Sequence, residues 1–158
     1  MTNKPSPEET ALWQKRLASQ ANNHAWSLAD QDSRTADEDE DMLQAAHAAM
    51  YFWKIIGNAR NHAHAAQLLA HVYALLRLPN PAHYYHAKSS SFFEVSENAP
   101  WETAFLHAVA ANVAYVSGQT AKHRESYGKA VEVIQGLADP EDQKILNTTL
   151  RIIPKPAE

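Results

Sequence analysis

Hydrophobic residues recur every three to five positions along most of the chain, which is the spacing that places them on one face of an α-helix. The segment from Met42 to Ile56 shows this most clearly, because its apolar residues form one stripe that ends at Gly57. The pattern predicts seven helices, at about 7–30, 36–56, 60–77, 81–93 and 100–117, then one that ends near 137 and one over about 140–150. The chain is therefore predicted to be all-α.

Residues that start and stop helices support the same assignment. Ser6 is a suitable N-cap, and Thr35 with Glu38 has the spacing of a capping box. Four of the prolines stand at the first position of a predicted helix: Pro7, Pro81, Pro100 and Pro140. Gly57 and Gly118 stand where two helices end. The chain has only four glycines, which is too few for the turns of a β-rich protein.

The links between the predicted helices are short, so neighbouring helices are expected to run antiparallel. Two architectures satisfy this expectation. One is a stack of antiparallel helical hairpins of the solenoid type, and the other is a closed helical bundle.

A resemblance favours the stacked hairpins. With Gly118 aligned to the turn of a tetratricopeptide hairpin, Ala111, Tyr127 and Ala130 fall on its small, aromatic and small positions. The chain thus resembles the tetratricopeptide-like right-handed superhelix. It is also similar to a group of small bacterial helical proteins without assigned activity, through segments 22–26, 34–35, 45–53 and 72–76. These resemblances imply a tetratricopeptide-like (TPR-like) fold and carry over no catalytic residues.

Composition narrows the class of protein further. A chain of 158 residues predicts a single domain over 1–158, with flexible termini at 1–5 and 151–158. The absence of cysteine excludes disulfides and thiolate chemistry. A net charge of −4 argues against a nucleic-acid partner. The polar start and the lack of a long apolar run predict a cytoplasmic protein with no membrane partner.

Nine histidines suggest a metal site as an alternative. His64 and His71 are spaced i, i+7, and His83 and His86 are spaced i, i+3, so each pair can share a helix face. The segment 23–26 also resembles the histidine–tryptophan segments of DinB-like bundles, which use three histidines. Carboxylate partners at ligand spacing are missing, however, and no Glu-x-x-His motif occurs. We therefore expect packed or solvated histidines, with no metal and no cofactor.

A binding groove is the favoured functional prediction, because the inner helices of hairpin solenoids present polar and aromatic side chains to a groove. The candidate groove residues lie near the end of the first helix and around the Gly57 turn: Asn23, Trp26, His47, Lys54, Asn58, Arg60 and Asn61. The competing interpretation makes Trp26 a core residue and the asparagines helix caps.

Motifs of known enzyme chemistry are absent from the sequence, including G-x-S-x-G, the Walker pattern, the dinucleotide fingerprint and H-E-x-x-H. The acidic run 37–41 fits the first turns of a helix better than a cation site. We therefore expect a non-enzymatic helical-repeat module that binds a protein or peptide partner and forms a homodimer. A histidine-dependent metal-binding enzyme of bundle type is the alternative.

Overall fold

The computed structural model describes residues 3–158 and is built from α-helices alone over that range. The seven helices are α1 (Pro7–Ala29), α2 (Ala36–Ile56), α3 (Ala59–Leu75), α4 (Pro79–Phe93), α5 (Pro100–Val116), α6 (Thr120–Gln135) and α7 (Pro140–Ile152). The predicted all-α class is confirmed. Among these helices, none is long and apolar enough to cross a membrane.

Local capping explains where the first three helices begin. The Glu9 amide donates to Ser6 Oγ at 3.1 Å, and the Glu38 amide donates to Thr35 Oγ1 at 3.2 Å. In each case the glutamate carboxylate accepts from the N-cap backbone amide, which completes the capping box. Asn58 caps α3 in the same reciprocal way with Asn61.

The start of α4 differs from the prediction, which placed Pro81 at the first position. The helix instead begins at Pro79, with Leu78 in the capping position. The reason lies one residue earlier, because Arg77 adopts the left-handed conformation at φ 59° and turns the chain sharply. The Leu78 amide then donates to the Tyr73 carbonyl at 2.9 Å, and this closes α3 early enough for Pro79 to open the next helix.

Two of the helical hairpins are copies of one another, displaced by 41 residues. When 41 is added to the residue numbers of α3, Ala59–Leu75, the result is the bounds of α5, Pro100–Val116. The turn that follows each helix is also repeated. Gly118, with φ 70°, replaces Arg77, and the Gln119 amide donates to the Ala114 carbonyl at 2.9 Å. We call α3–α4 the middle hairpin and α5–α6 the last hairpin.

The hairpins stack so that the odd-numbered helices form one layer. Each of α1, α3 and α5 packs against its own partner α2, α4 or α6, and also against the next odd-numbered helix. The final helix, α7, packs on α5 and α6 as a half hairpin that covers the end of the stack. Three clusters of buried apolar side chains lie between successive hairpins. We call α1, α3, α5 and α7 the inner layer.

Side-chain contacts also join the two ends of the inner layer. Thr149 Oγ1 donates to Asp30 Oδ1 at 3.2 Å, and Arg151 Nη1 lies 2.8 Å from Asp32 Oδ1. The layer is therefore strongly curved, since residues 119 positions apart in sequence meet.

The two segments that were predicted to be flexible termini differ in how they pack. Residues 1 and 2 lie outside the described chain, and residues 3–5 are exposed and not helical. At the other end, α7 extends to Ile152, and Ile153 is only 2% exposed within the last core cluster. His123 Nε2 lies 2.7 Å from the Pro154 carbonyl oxygen. The first part of segment 151–158 is packed because its two isoleucines complete the apolar face of α7.

Candidate binding groove

The inner layer contains a groove of about 340 Å³ between α1, α3 and α5, which we call the inner groove. Four aromatic residues line it: Trp26, Trp53, Trp101 and Phe105. Four carboxamide residues line it as well: Asn22, Asn23, Asn61 and Gln67. Ser19 and His64 complete the lining. The surface therefore combines aromatic rings with neutral hydrogen-bonding groups.

Interior contacts hold two of the tryptophans in place. The Trp26 ring stacks on His71 with a centroid distance of 5.4 Å, and it lies 5.2 Å from Phe105. The Trp101 ring stacks on His64 at 5.4 Å, with only 11° between the two planes. Both indoles are half-buried. Their orientation is thus fixed from within the protein, which leaves part of each ring facing the groove.

Gln67 is the unusual residue of the groove. Its side chain is 2% exposed, and no group in the described chain forms a hydrogen bond with its Nε2 atom. An unpaired buried donor of this kind costs about 1–3 kcal/mol in most proteins. The residue 41 positions later, in the last hairpin, is the fully buried Ala108. The repeat therefore accommodates a small apolar residue at this position, and Gln67 departs from it.

His71 lies one turn after Gln67 on α3 and is fully buried. Asn112 Nδ2 lies 3.2 Å from His71 Nδ1, so this ring nitrogen accepts a hydrogen bond and the proton is on Nε2. Burial is the main cause that lowers the pKa of His71 to about 3, and the nearby Arg34 charge contributes to that shift. The imidazole is therefore neutral, and it supports Trp26 as a flat apolar surface.

A buried carboxylate joins α3 to α5 beside the groove. Glu102 is 4% exposed and accepts from Arg60 Nη1 at 2.6 and 2.7 Å, from the Ala99 amide at 2.9 Å and from His64 Nε2 at 2.8 Å. Burial alone would raise the pKa of Glu102, but these hydrogen bonds hold the pKa below its usual value. Arg60 and His64 are thereby committed to a structural contact between the middle and last hairpins.

The structure brings together only part of the candidate set from the sequence. Asn23, Trp26 and Asn61 line the inner groove. Asn58 caps α3 and Arg60 binds Glu102, so both have structural partners.

The other two candidates lie on the opposite side of α3. His47 Nε2 lies 2.7 Å from the Tyr73 hydroxyl. Lys54 lines a depression of about 430 Å³ between α2, α3 and α4, together with Tyr84 and Lys88. We call this the outer depression. Although it is larger, none of the buried unpaired polar atoms of the described chain belongs to a residue that lines it.

Seven residues that line the inner groove were not in the candidate set for it: Ser19, Asn22, Trp53, His64, Gln67, Trp101 and Phe105. The available signal for Gln67 was a lone amide within a run of alanines and leucines, at 65–70. Trp101 and Phe105 lie four residues apart in the predicted fifth helix, and periodicity of this kind cannot separate a groove from a core.

The four histidines considered as metal ligands have separate surroundings. His64 binds Glu102 and His71 binds Asn112, while His83 Nε2 lies 2.7 Å from Ser117 Oγ. His86 is half-buried, and its pKa is lowered to about 4, mainly by burial and also by the nearby Lys122 and His83. Within residues 3–158, no group of three or more histidines and carboxylates is placed to hold a metal ion.

The chain was also compared with known proteins. No family model, no curated protein and no solved structure matches it significantly.

Proposed function

We propose that this protein is a non-enzymatic, TPR-like interaction module that binds an extended peptide segment of a partner protein in the inner groove. The observation that supports the proposal most directly is the unpaired, buried amide nitrogen of Gln67 in a groove lined by tryptophans. A buried donor that the fold leaves unpaired is suited to an acceptor on a ligand. Half-buried indoles supply contact area with little loss of side-chain entropy on binding.

The shape of the concave side favours a chain over a compact ligand. A second depression of about 210 Å³ continues from the inner groove, and Asn23, Trp26 and Phe105 line both. This second depression extends to Asp30 and Thr149 at the closed end of the inner layer. An extended peptide can follow such a path and offer its main-chain groups to the amides along it, since carboxamides both donate and accept hydrogen bonds.

Peptide selection tests this proposal. A phage-displayed library of random twelve-residue peptides is panned on the purified protein, and selected peptides are titrated while tryptophan fluorescence is measured. Three of the four tryptophans line the groove, so binding there changes the signal. Asn23→Arg places a charged, bulky side chain in the groove from an exposed position of α1, and we expect binding to weaken by about tenfold or more.

Ser91→Arg is the matched control, because Ser91 is also exposed but lies on α4, outside the groove. It should leave the affinity unchanged. Selected peptides that bind wild type and Asn23→Arg equally well would show that the inner groove is not the binding site.

A further inference from the structure

The inner groove also carries information about the chemistry of its ligand. This inference rests on the proposed peptide-binding function. We infer that the part of the peptide bound beside Gln67 is uncharged, that one of its main-chain carbonyl oxygens accepts a hydrogen bond from Gln67 Nε2, and that a proline, aliphatic or aromatic side chain packs on Trp26 and Trp101.

The absence of charge in the lining supports the first part. Of the residues of the described chain that line the inner groove, none is Asp, Glu, Lys or Arg. Glu102, which binds the lining residue His64, already accepts hydrogen bonds from Arg60, His64 and the Ala99 amide. A charged ligand group placed in the groove would lose water without gaining an ionic partner, which is strongly unfavourable. An uncharged segment avoids this cost.

The identity of the unpaired atom supports the second part. The unpaired atom is the amide nitrogen, Nε2, which can only donate. The ligand must therefore supply an acceptor, and every peptide residue has one in its main-chain carbonyl. Because Gln67 is almost fully buried, the acceptor has to enter the groove deeply, and the side chain has to turn Nε2 towards it.

The fixed indoles support the third part. Trp26 is held by His71 and Phe105, and Trp101 is held by His64, so neither ring has to be ordered when a ligand binds. Such preorganised apolar surfaces favour a rigid or apolar side chain, because contact with them removes apolar area from water at little entropic cost.

The experiment uses the same peptide library with the variant Gln67→Met, which keeps the length of the side chain and removes the donor. Peptides selected on the wild type should share an uncharged stretch that contains proline, an aliphatic residue or an aromatic residue. Synthetic copies of them should bind Gln67→Met about tenfold more weakly. Because the free protein loses an unpaired buried donor, the midpoint of urea denaturation should stay the same or rise.

Asn112→Leu provides the matched comparison, since Asn112 is a buried amide that already has a partner in His71. Its replacement should lower the urea midpoint, in contrast with Gln67→Met. A second readout does not depend on any variant. In a ¹H–¹⁵N spectrum, the side-chain amide resonance of Gln67 should move downfield when a selected peptide is added to the wild-type protein.

The outcomes separate this inference from the proposed function. Peptides that Asn23→Arg excludes, but that are charged or bind Gln67→Met with full affinity, would overturn the inference and leave the function in place. A Gln67 resonance that stays unmoved at saturation would also overturn it. If no peptide is selected while the neutral oligosaccharide maltohexaose binds, both the inference and the proposed function are wrong.

Discussion

The middle and last hairpins share the bounds of their first helix and the form of their turn, 41 residues apart, but use corresponding positions differently. In the last hairpin, Ala108 fills its site with a small apolar side chain, whereas Gln67 of the middle hairpin brings an unpaired amide to the corresponding site. Gly118 makes the last turn without a Cβ atom, whereas Arg77 makes the same turn with one. The last hairpin thus follows local stability rules at both positions, whereas the middle hairpin departs from them at Gln67 beside the groove and at Arg77 in its turn.

The largest expected effect comes from making the last hairpin resemble the middle one. Ala108→Gln inserts a long polar side chain at a fully buried position within the cluster between α5, α6 and α7. Overpacking together with an unpaired amide should lower the free energy of unfolding by about 3 kcal/mol. Urea denaturation followed by circular dichroism measures the change. A loss below about 0.5 kcal/mol would show that the two sites are equally tolerant of glutamine.

The second prediction concerns His71 and Asn112, two buried residues that occupy corresponding positions of the middle and last hairpins. Because the pKa of His71 is about 3 in the folded protein and near 6.5 when unfolded, only the unfolded chain takes up this proton between those values. The free energy of unfolding should therefore fall as the pH drops below about 6.5, and this residue should contribute a loss of about 1.4 kcal/mol per pH unit. Between pH 6.5 and pH 4.5 the loss is about 2–3 kcal/mol.

The double variant His71→Leu with Asn112→Val removes the titrating group and its partner together, so neither is left unpaired. Urea midpoints at the two pH values should then lie closer together than in the wild type. An equally steep pH dependence in the double variant would assign the effect to partly buried histidines, such as His64 and His86, whose pKa values burial also lowers.

The smallest expected effect lies in the two turns. Gly118→Ala should cost about 1 kcal/mol, because a Cβ atom is unfavourable at φ 70° even though no other atom lies within 4 Å of it. Arg77→Gly should instead raise the free energy of unfolding by about 0.5 kcal/mol at the equivalent turn. Glycine removes the cost of a Cβ atom in the left-handed conformation, and this exceeds the cost of the entropy that glycine adds to the unfolded chain. Thermal denaturation of the two variants in parallel checks the opposite signs, and a loss in both would contradict the equivalence of the turns.

Much of the fold could be predicted from the sequence because its signals are local. Ser6 and Thr35 cap helices through residues three positions away, and apolar periodicity defines the helices between them. The predicted start of α4 was wrong because an arginine gives no sequence signal for the left-handed conformation that Arg77 adopts, whereas a glycine in the same place would have given one.

The groove was harder to predict because it depends on how hairpins stack. From Ala65 to Val72, α3 is buried on all sides. A helical wheel therefore does not show which side of the helix faces α1 and which faces α2. Lys54 and Asn61 are close in sequence and were grouped for that reason, yet they lie at different depressions. Trp101 lines the same groove as Asn61 although it is about forty residues later in the chain. No local sequence pattern indicates that the two residues are close.

The contact between the two ends of the inner layer, Asp30 with Thr149 and Asp32 with Arg151, has a consequence for the number of repeats. An open solenoid can gain or lose a unit and still present a continuous surface, because each unit touches only its neighbours. Here the first and last inner helices touch across the curve, so an inserted hairpin would separate them and widen the concavity. The number of hairpins in the stack therefore determines the diameter of its concave side.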